Sequence, residues 1–273
     1  MKPEEMYCVR DYGVIVTGGA SGIGLAYTEV LAENGAHVTM LDIDETRINN
    51  EVKRLTSAGM DVRGMQVDVT DRAAVNAAFD ETAALYGRLD VVFANAGIDS
   101  GAGFMQMDGS GRNEAGAIEN YADERWDRVI DTNLNSVFTT IRAAARHMKP
   151  RKSGRIIVTT SLAAVRTEVM VGTAYMAAKA GAAMFMRSIA LELAGFNINV
   201  NAIAPGPFIT NIAGGHAHDP EVQKAFAATI PVGRMASTEE IKGLALFLAS
   251  PASSFVTGVQ ILIDGGSSLG TIE

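Results

Sequence analysis

The stretch GVIVTGGASGIG runs from Gly13 to Gly24. A short apolar run rich in β-branched residues meets a glycine-rich turn. Helix-compatible sequence, LAYTEVLAENG, follows it. The order reads as strand, tight turn, helix. Glycines at 18, 22 and 24 follow a G-x3-G-x-G spacing, which departs from the G-x-G-x-x-G pattern of many dinucleotide-binding turns. The physics is shared. Glycine permits the turn and lets backbone N–H groups approach an anion at a helix N-terminus. Gly18, Ser21, Gly22, Ile23 and Gly24 are therefore candidate pyrophosphate contacts.

Moving outward, the same alternation repeats along the chain. Apolar runs begin at Gly13, His37, Val62, Leu89, Gly154, Asn197 and Gly258. Helical patterns cover roughly 22–34, 44–58, 71–86, 121–149, 174–194 and 237–249. The runs read as strands buried on both faces, which is the signature of a parallel sheet. The expectation is one α/β domain over 1–273, a doubly wound Rossmann fold with a seven-stranded parallel sheet and helices on both faces. Two stretches, 98–120 and 206–235, interrupt the rhythm, and each follows a strand end. Open α/β sheets bind ligands at that edge, so both are expected to be active-site loops.

Bulk composition narrows the function. The chain has 273 residues and a formal net charge of −8, with no Lys/Arg stripe. That balance argues against a nucleic-acid partner. The one cysteine, Cys8, has no intrachain partner, and no Cys/His spacing suggests zinc. His216 and His218 lie in a Gly-rich loop and read as solvated, so no metal is expected. No apolar run is long enough to span a membrane, and the polar, acidic start lacks a signal-peptide pattern. No membrane partner and a cytoplasmic location are expected.

Asp42 closes the second apolar run, about twenty residues beyond the glycine turn, with Ile43 beside it. A carboxylate there can accept from adenosine ribose hydroxyls and would repel a ribose 2′-phosphate. No Lys or Arg lies in the turn or beside Asp42, so NAD is the expected cofactor rather than NADP. Asp44 is the better cap for the next helix.

The stretch YMAAK, Tyr175 to Lys179, supplies a reactive pair. On a helix, positions four apart share a face. A free phenol has a pKa near 10, so work as a base near pH 7 needs a lowering worth about 4 kcal/mol. A cation about 4 Å away, at an effective dielectric of about 20, supplies that order of energy.

These motifs and their order resemble the short-chain dehydrogenase/reductase family over about Gly13 to Gly266. They are TGGASGIG, DV at Asp68–Val69, NAG at Asn95–Gly97, NLNSVF from Asn133, TTS ending at Ser161, YMAAK, PGPFIT at Pro205–Thr210, and DGG at Asp264–Gly266. The resemblance implies a catalytic group of Asn133, Ser161, Tyr175 and Lys179. Tyr175 would be the general acid/base, aided by Lys179; Ser161 would orient the substrate oxygen; Asn133 would help hold a proton-relay water. Thr160 is the alternative hydroxyl, because Leu162, Ala163 and Ala164 depart from the family's usual small-residue and Gly pattern. By the same resemblance, Asp68 and Val69 would flank the adenine, and Asn95, Ala96 and Gly97 would line the ribose side. Tyr175 and Lys179 would also face the cofactor, with Pro205, Gly206, Phe208 and Thr210 on the nicotinamide side.

The implied activity is hydride transfer between NAD(H) and a secondary alcohol or ketone. An NADPH-dependent 3-oxoacyl or other carbonyl reductase is the alternative, and a non-catalytic NAD-binding sensor a more distant one. Phe104, Met105, Met107, Phe208, Ile209, Ile212 and Phe226 are candidate pocket walls. The 98–120 stretch looks longer than is usual in the family, which suggests a more covered entrance. The segment 174–194 is apolar on nearly every face, and Ala177, Ala178, Ala180 and Ala182 would allow close approach of a second subunit. A homo-oligomer, tetramer or dimer, is expected.

Overall fold

The computed structural model describes residues 2–106 and 111–270. Seven strands form one parallel sheet: β1 (Gly13–Thr17), β2 (His37–Asp42), β3 (Val62–Gln66), β4 (Val91–Ala94), β5 (Gly154–Thr159), β6 (Ile198–Pro205) and β7 (Gln260–Ile263). Their spatial order is β3-β2-β1-β4-β5-β6-β7, and every adjacent pair is parallel. The order reverses between β1 and β4, so a crevice opens beyond their carboxyl ends. All seven expected strands are present.

The helices are α1 (Pro3–Met6), α2 (Gly22–Glu33), α3 (Glu45–Ser57), α4 (Arg72–Tyr86), α5 (Asp123–Ile130), α6 (Ser136–Arg151), α7 (Thr173–Leu193), α8 (Pro220–Ala227) and α9 (Lys242–Ala249). Strand alternation divides the core between the two faces of the sheet. Val14, Val16 and Phe93 pack with Tyr27 of α2 and Ala245 of α9. Ile15, Val92 and Val158 pack with Phe79 of α4, Ile141 of α6 and Met186 of α7. Burial on both faces holds for the central strands, since every residue of β1 and β4 is buried. It does not hold for the edges: β3 and β7 are only partly covered, and Leu262 of β7 is 39% exposed.

Caps mark where helices start. Asp44 accepts from the Arg47 N–H (3.0 Å) to begin α3, and Asp71 accepts from Ala73 and Ala74 to begin α4. The expected continuous helix over 121–149 is broken. Between α5 and α6, Asp131–Asn135 forms a π-helical turn, and Asn133 within it is fully buried. The amide of Asn133 accepts from Ile98 N–H and donates to Ile98 C=O, both at 2.8 Å. Two hydrogen bonds to buried backbone offset departure from the α register.

The face of α7 also differs from expectation. Ala178 and Ala182 are buried inside the chain itself, whereas Ala177, Ala180, Met184 and Leu191 lie on its exposed side. No helix among the described residues is long and apolar enough to cross a membrane.

Candidate active site

The turn after β1 is built from backbone. Gly18 has φ of 62°, a left-handed conformation that favours glycine. A Cβ on Gly24 would collide with the Gly18 carbonyl, so this helix start requires glycine. The Ser21 side chain makes no capping bond, which leaves the first N–H groups of α2 without a side-chain partner. Asn95, just beyond β4, ties the turn in place. Its Nδ2 donates to the carbonyls of Thr17 (3.0 Å) and Gly18 (3.2 Å), and its own N–H and that of Ala96 donate to Thr17 Oγ1.

Asp42, at the end of β2, lies on this turn. One carboxylate oxygen accepts from Ala20 N–H (3.1 Å) and the other from Asp44 N–H (3.2 Å). Ile43 beside it is 64% exposed. Arg47 is the basic residue nearest in sequence beyond Asp42, and its guanidinium pairs with Asp44 at 3.0 Å. Val69 is buried, while Asp68 is exposed and accepts from the N–H and hydroxyl of Thr70. Across the crevice, Pro205 ends β6 and Gly206 donates to Ile263 O (3.0 Å). Phe208 and Thr210 are buried, with Phe208 bridging to Ala236. The Thr210 side chain faces Gly22, 3.6 Å from where a Cβ would stand. Gly22, Leu25, Ile209, Thr210 and His218 help line a cleft of about 270 Å³ between α2 and the 206–235 stretch.

The polar residues converge beyond β4 and β5. Tyr175 lies in the first turn of α7, and the Lys179 ammonium sits 5.6 Å from its ring centre. Lys179 is buried and donates to Thr159 O at 2.8 Å. Burial brings its pKa down to about 8. Gly97 fits against both Lys179 and Asn133: a Cβ there would stand 3.5 Å from the ammonium and 3.0 Å from the Asn133 Oδ1. Ser161 accepts from Ala163 N–H (3.1 Å), and its hydroxyl also lies against the Tyr175 phenol. Thr160, the alternative hydroxyl, is buried and donates to Ile203 O at 3.0 Å, on the β6 side. The structure thus separates the two hydroxyls that the sequence left adjacent.

Tyr175 differs from the sequence expectation. Burial holds its phenol above the usual value; Ser161 opposes that and the Asp99 charge adds to it. Desolvation is the largest of these effects.

The described residues of the 98–120 stretch pack against the segment that leads into α7. Gly103 N–H donates to Met170 O (2.9 Å), and Ala102 bridges Val171 in antiparallel fashion. Gly116 lies so close to the Gly103 carbonyl that no side chain would fit. Tyr121 donates to Ser100 O (3.3 Å), and Arg125 donates to Ala102 O (3.2 Å) while covering the Tyr121 ring. Sequence reasoning did not single out Ser100, Tyr121 and Arg125, which hold this stretch in place; no local signal distinguishes them from ordinary loop polarity. Of the expected wall residues, Phe104, Ile209 and Phe226 are half-buried, and Met107 lies outside the described residues. Within 206–235 the chain also forms α8, started by Asp219 accepting from Glu221 N–H. Among the described residues, no group of three or more His, Cys, Asp or Glu is arranged to hold a metal.

A glycine turn opening a helix, beside a half-buried tyrosine and a buried lysine at the switch point of a parallel sheet, is the architecture of a nicotinamide-dependent oxidoreductase. A family model described as Enoyl-(Acyl carrier protein) reductase matches residues 18–268. Cis-4-hydroxycyclohexanecarboxylate dehydrogenase of Sinomonas cyclohexanicum is 38% identical over 92% of this chain and 94% of its own. A 3-oxoacyl-(acyl-carrier-protein) reductase of Chlamydia pneumoniae is 34% identical over 93% and 95%. The solved structure of a gluconate 5-dehydrogenase from Burkholderia cenocepacia, in complex with NADP and tartrate, superposes with a TM-score of 0.87 at 29% identity, covering 98% of this chain and 99% of that one. The chain belongs to the short-chain dehydrogenase/reductase family and is an oxidoreductase.

Proposed function

We propose that the protein transfers hydride between NAD(H) and a secondary alcohol or its ketone. The observation that carries the NAD reading is Asp42. Its carboxylate lies against the glycine turn, bonded to the Ala20 N–H, where a ribose 2′-phosphate would meet a negative charge. The one basic side chain close in sequence, Arg47, is paired with Asp44.

The donors and acceptors suit a dinucleotide. The free N–H groups at the start of α2 would take the pyrophosphate, with Gly18, Ser21, Gly22, Ile23 and Gly24 around it. Asp42 and Ile43 would take the adenosine ribose, Asp68 and Val69 the adenine, and Asn95, Ala96 and Gly97 the ribose side. Pro205, Gly206, Phe208 and Thr210 would take the carboxamide end. When bound, the nicotinamide supplies a hydride acceptor and, oxidised, a positive charge beside the phenol.

The chain's own residues move the proton. Ser161 holds the substrate oxygen, and Tyr175 exchanges a proton with it. A Lys179 titrating near pH 8 remains largely protonated at pH 7 and opposes the burial that raises the phenol. The Asn133 amide is engaged with Ile98 through both of its atoms and so holds the backbone beside Gly97, which packs on Lys179. The exposed apolar side of α7, with Met184 and Leu191, supports association with a second copy, as a dimer or tetramer.

The alternative, an NADPH-dependent 3-oxoacyl reductase, draws support from the similarity to the Chlamydia pneumoniae protein. The test is NADH formation from NAD over a panel of secondary alcohols, with NADP in parallel. Tyr175→Phe is expected to lower kcat on the order of 10³-fold while NADH affinity stays within about twofold. Turnover with NADP alone would overturn the reading of Asp42.

A further inference from the structure

The Asp264–Gly266 motif folds into a tight turn after β7. The Asp264 carboxylate accepts from Gly266 N–H (3.0 Å) and Ser268 N–H (2.8 Å), and the Ser267 hydroxyl donates to Asp264 O (2.7 Å). These bonds fix the direction of the carbonyls that the turn presents. Gly265 O accepts from Val232 N–H (3.1 Å), near the end of the 206–235 stretch. Ser267 O accepts from the Arg166 guanidinium, which lies on the loop between Ser161 and α7.

The loop that follows Ser161 is closed by its own backbone. Ala163 N–H donates to the Ser161 hydroxyl and Ala164 N–H to Ser161 O (3.0 Å), while Val165 and Arg166 N–H both donate to Leu162 O (3.0 and 3.1 Å). Arg166 is thus the last residue of the turn that begins at Ser161. Its side chain is forked between two fixed points. One is Ser267 O; the other is the Glu168 carboxylate, 3.2 Å from Nε. Glu168 is itself tied to α7, because its N–H donates to Met176 Sδ (3.3 Å). Among the described residues, the Arg166–Ser267 bond is the one hydrogen bond that joins 162–168 to the chain outside 161–176. Leu162 and Ala163 are buried, but apolar packing is non-directional, whereas a hydrogen bond sets direction.

We propose that Arg166 is a positioning residue: anchored on the Ser267 carbonyl, it sets the turn after Ser161 and so aims the Ser161 hydroxyl at the substrate oxygen. The inference rests on the role proposed above for Ser161. The Arg166 and Glu168 side chains are 40% and 24% exposed, and an ion pair so open to water adds little to stability. The effect of Arg166 is therefore expected in the alignment of a ligand rather than in the melting temperature. The bond from a hydroxyl to a ligand oxygen depends on angle, so a small rotation of the turn weakens it. Losing that alignment weakens a ligand on the order of fivefold.

The test is the affinity of NADH-loaded protein for cyclohexanol, read from NADH fluorescence and independent of turnover. Wild type, Arg166→Met, Ser161→Ala and the double variant form a cycle. Arg166→Met is expected to bind cyclohexanol on the order of fivefold more weakly, with NADH affinity within about twofold and Tm within about 2 °C. In Ser161→Ala, where there is no hydroxyl to aim, the same substitution is expected to change the affinity by less than about twofold. Arg166→Lys keeps the charge but cannot make the fork, and is expected to lie between wild type and Arg166→Met. Cyclohexanol bound equally by wild type and Arg166→Met, an equal loss in the Ser161→Ala background, a parallel loss of NADH affinity, or no binding of cyclohexanol by wild type would overturn the proposal. A non-additive loss in a protein that turns over no alcohol would leave Arg166 in its role and count against the dehydrogenase reading alone.

Discussion

Two buried charges at opposite ends of the sheet are matched to different degrees. At the amino end, Asp90 is 4% exposed and fully matched. It accepts from Gly13 N–H (2.9 Å) and from Arg88 through Nε (2.5 Å) and Nη2 (2.9 Å), with Arg151 at 3.5 Å. At the carboxyl end, Lys179 is equally buried, yet it has one carbonyl acceptor and no carboxylate partner among the described residues. A buried charge with a complete set of partners holds structure together; one left short of partners has a displaced pKa and is available for chemistry. At the amino end the match is local to Asp90: Arg155, whose N–H donates to Asp90 O at 2.8 Å, keeps a buried Nε without a hydrogen-bond partner.

The largest effect should come from breaking the matched cluster at Asp90. Asp90→Ala leaves Arg88 and Arg151 without their shared carboxylate and removes the acceptor of Gly13 N–H. Denaturant unfolding is expected to show a loss of about 3–5 kcal/mol, while protein that remains folded keeps its NADH affinity. A loss below about 1 kcal/mol would mean that this cluster is solvent-screened surface.

Removing the unsatisfied charge should act in the other direction. Lys179→Met abolishes turnover but relieves desolvation, for a gain on the order of 2 kcal/mol at pH 7. The pH dependence has a defined sign. The folded Lys179 pKa of about 8 lies below its ordinary 10.5, so between those values the unfolded chain binds more protons and wild-type stability rises with pH. Below about pH 8 the desolvation cost is fully present, and the advantage of Lys179→Met is greatest; above about 10.5 it disappears. An advantage constant from pH 6 to 10 would show that Lys179 does not titrate in this window.

The smallest effect sharpens the comparison within the carboxyl end itself. Asp44 lies two residues from Asp42 but caps α3. Asp44→Ala is expected to lower stability by about 1 kcal/mol, or roughly 2–4 °C in Tm, with NAD affinity unchanged. A cofactor effect from Asp44→Ala would place the ribose contact two residues further along than Asp42.

Much of this was legible from local pattern. Strand runs, the glycine turn and the four-residue spacing of Tyr175 and Lys179 are short-range signals, and each has a defined backbone consequence. The π-helical turn at Asn133 was not legible, because its reason lies 35 residues away in the backbone of Ile98. Nor was the bridge that joins Ala102 to Val171, just before α7, across 69 residues. Ser161 and Thr160 look alike in sequence; only the pairing of β5 with β6 turns Thr160 to Ile203 and leaves Ser161 beside the phenol.

The sequence by itself determined the alternation of strands and helices, the glycine turn and the helical face shared by Tyr175 and Lys179, because periodicity and glycine chemistry act over a few residues. Tertiary structure alone decided how deeply Lys179 and Tyr175 are buried and which groups oppose or add to the effect of that burial. Desolvation and Coulomb interaction depend on neighbours in space, and those neighbours come from segments far apart in the chain.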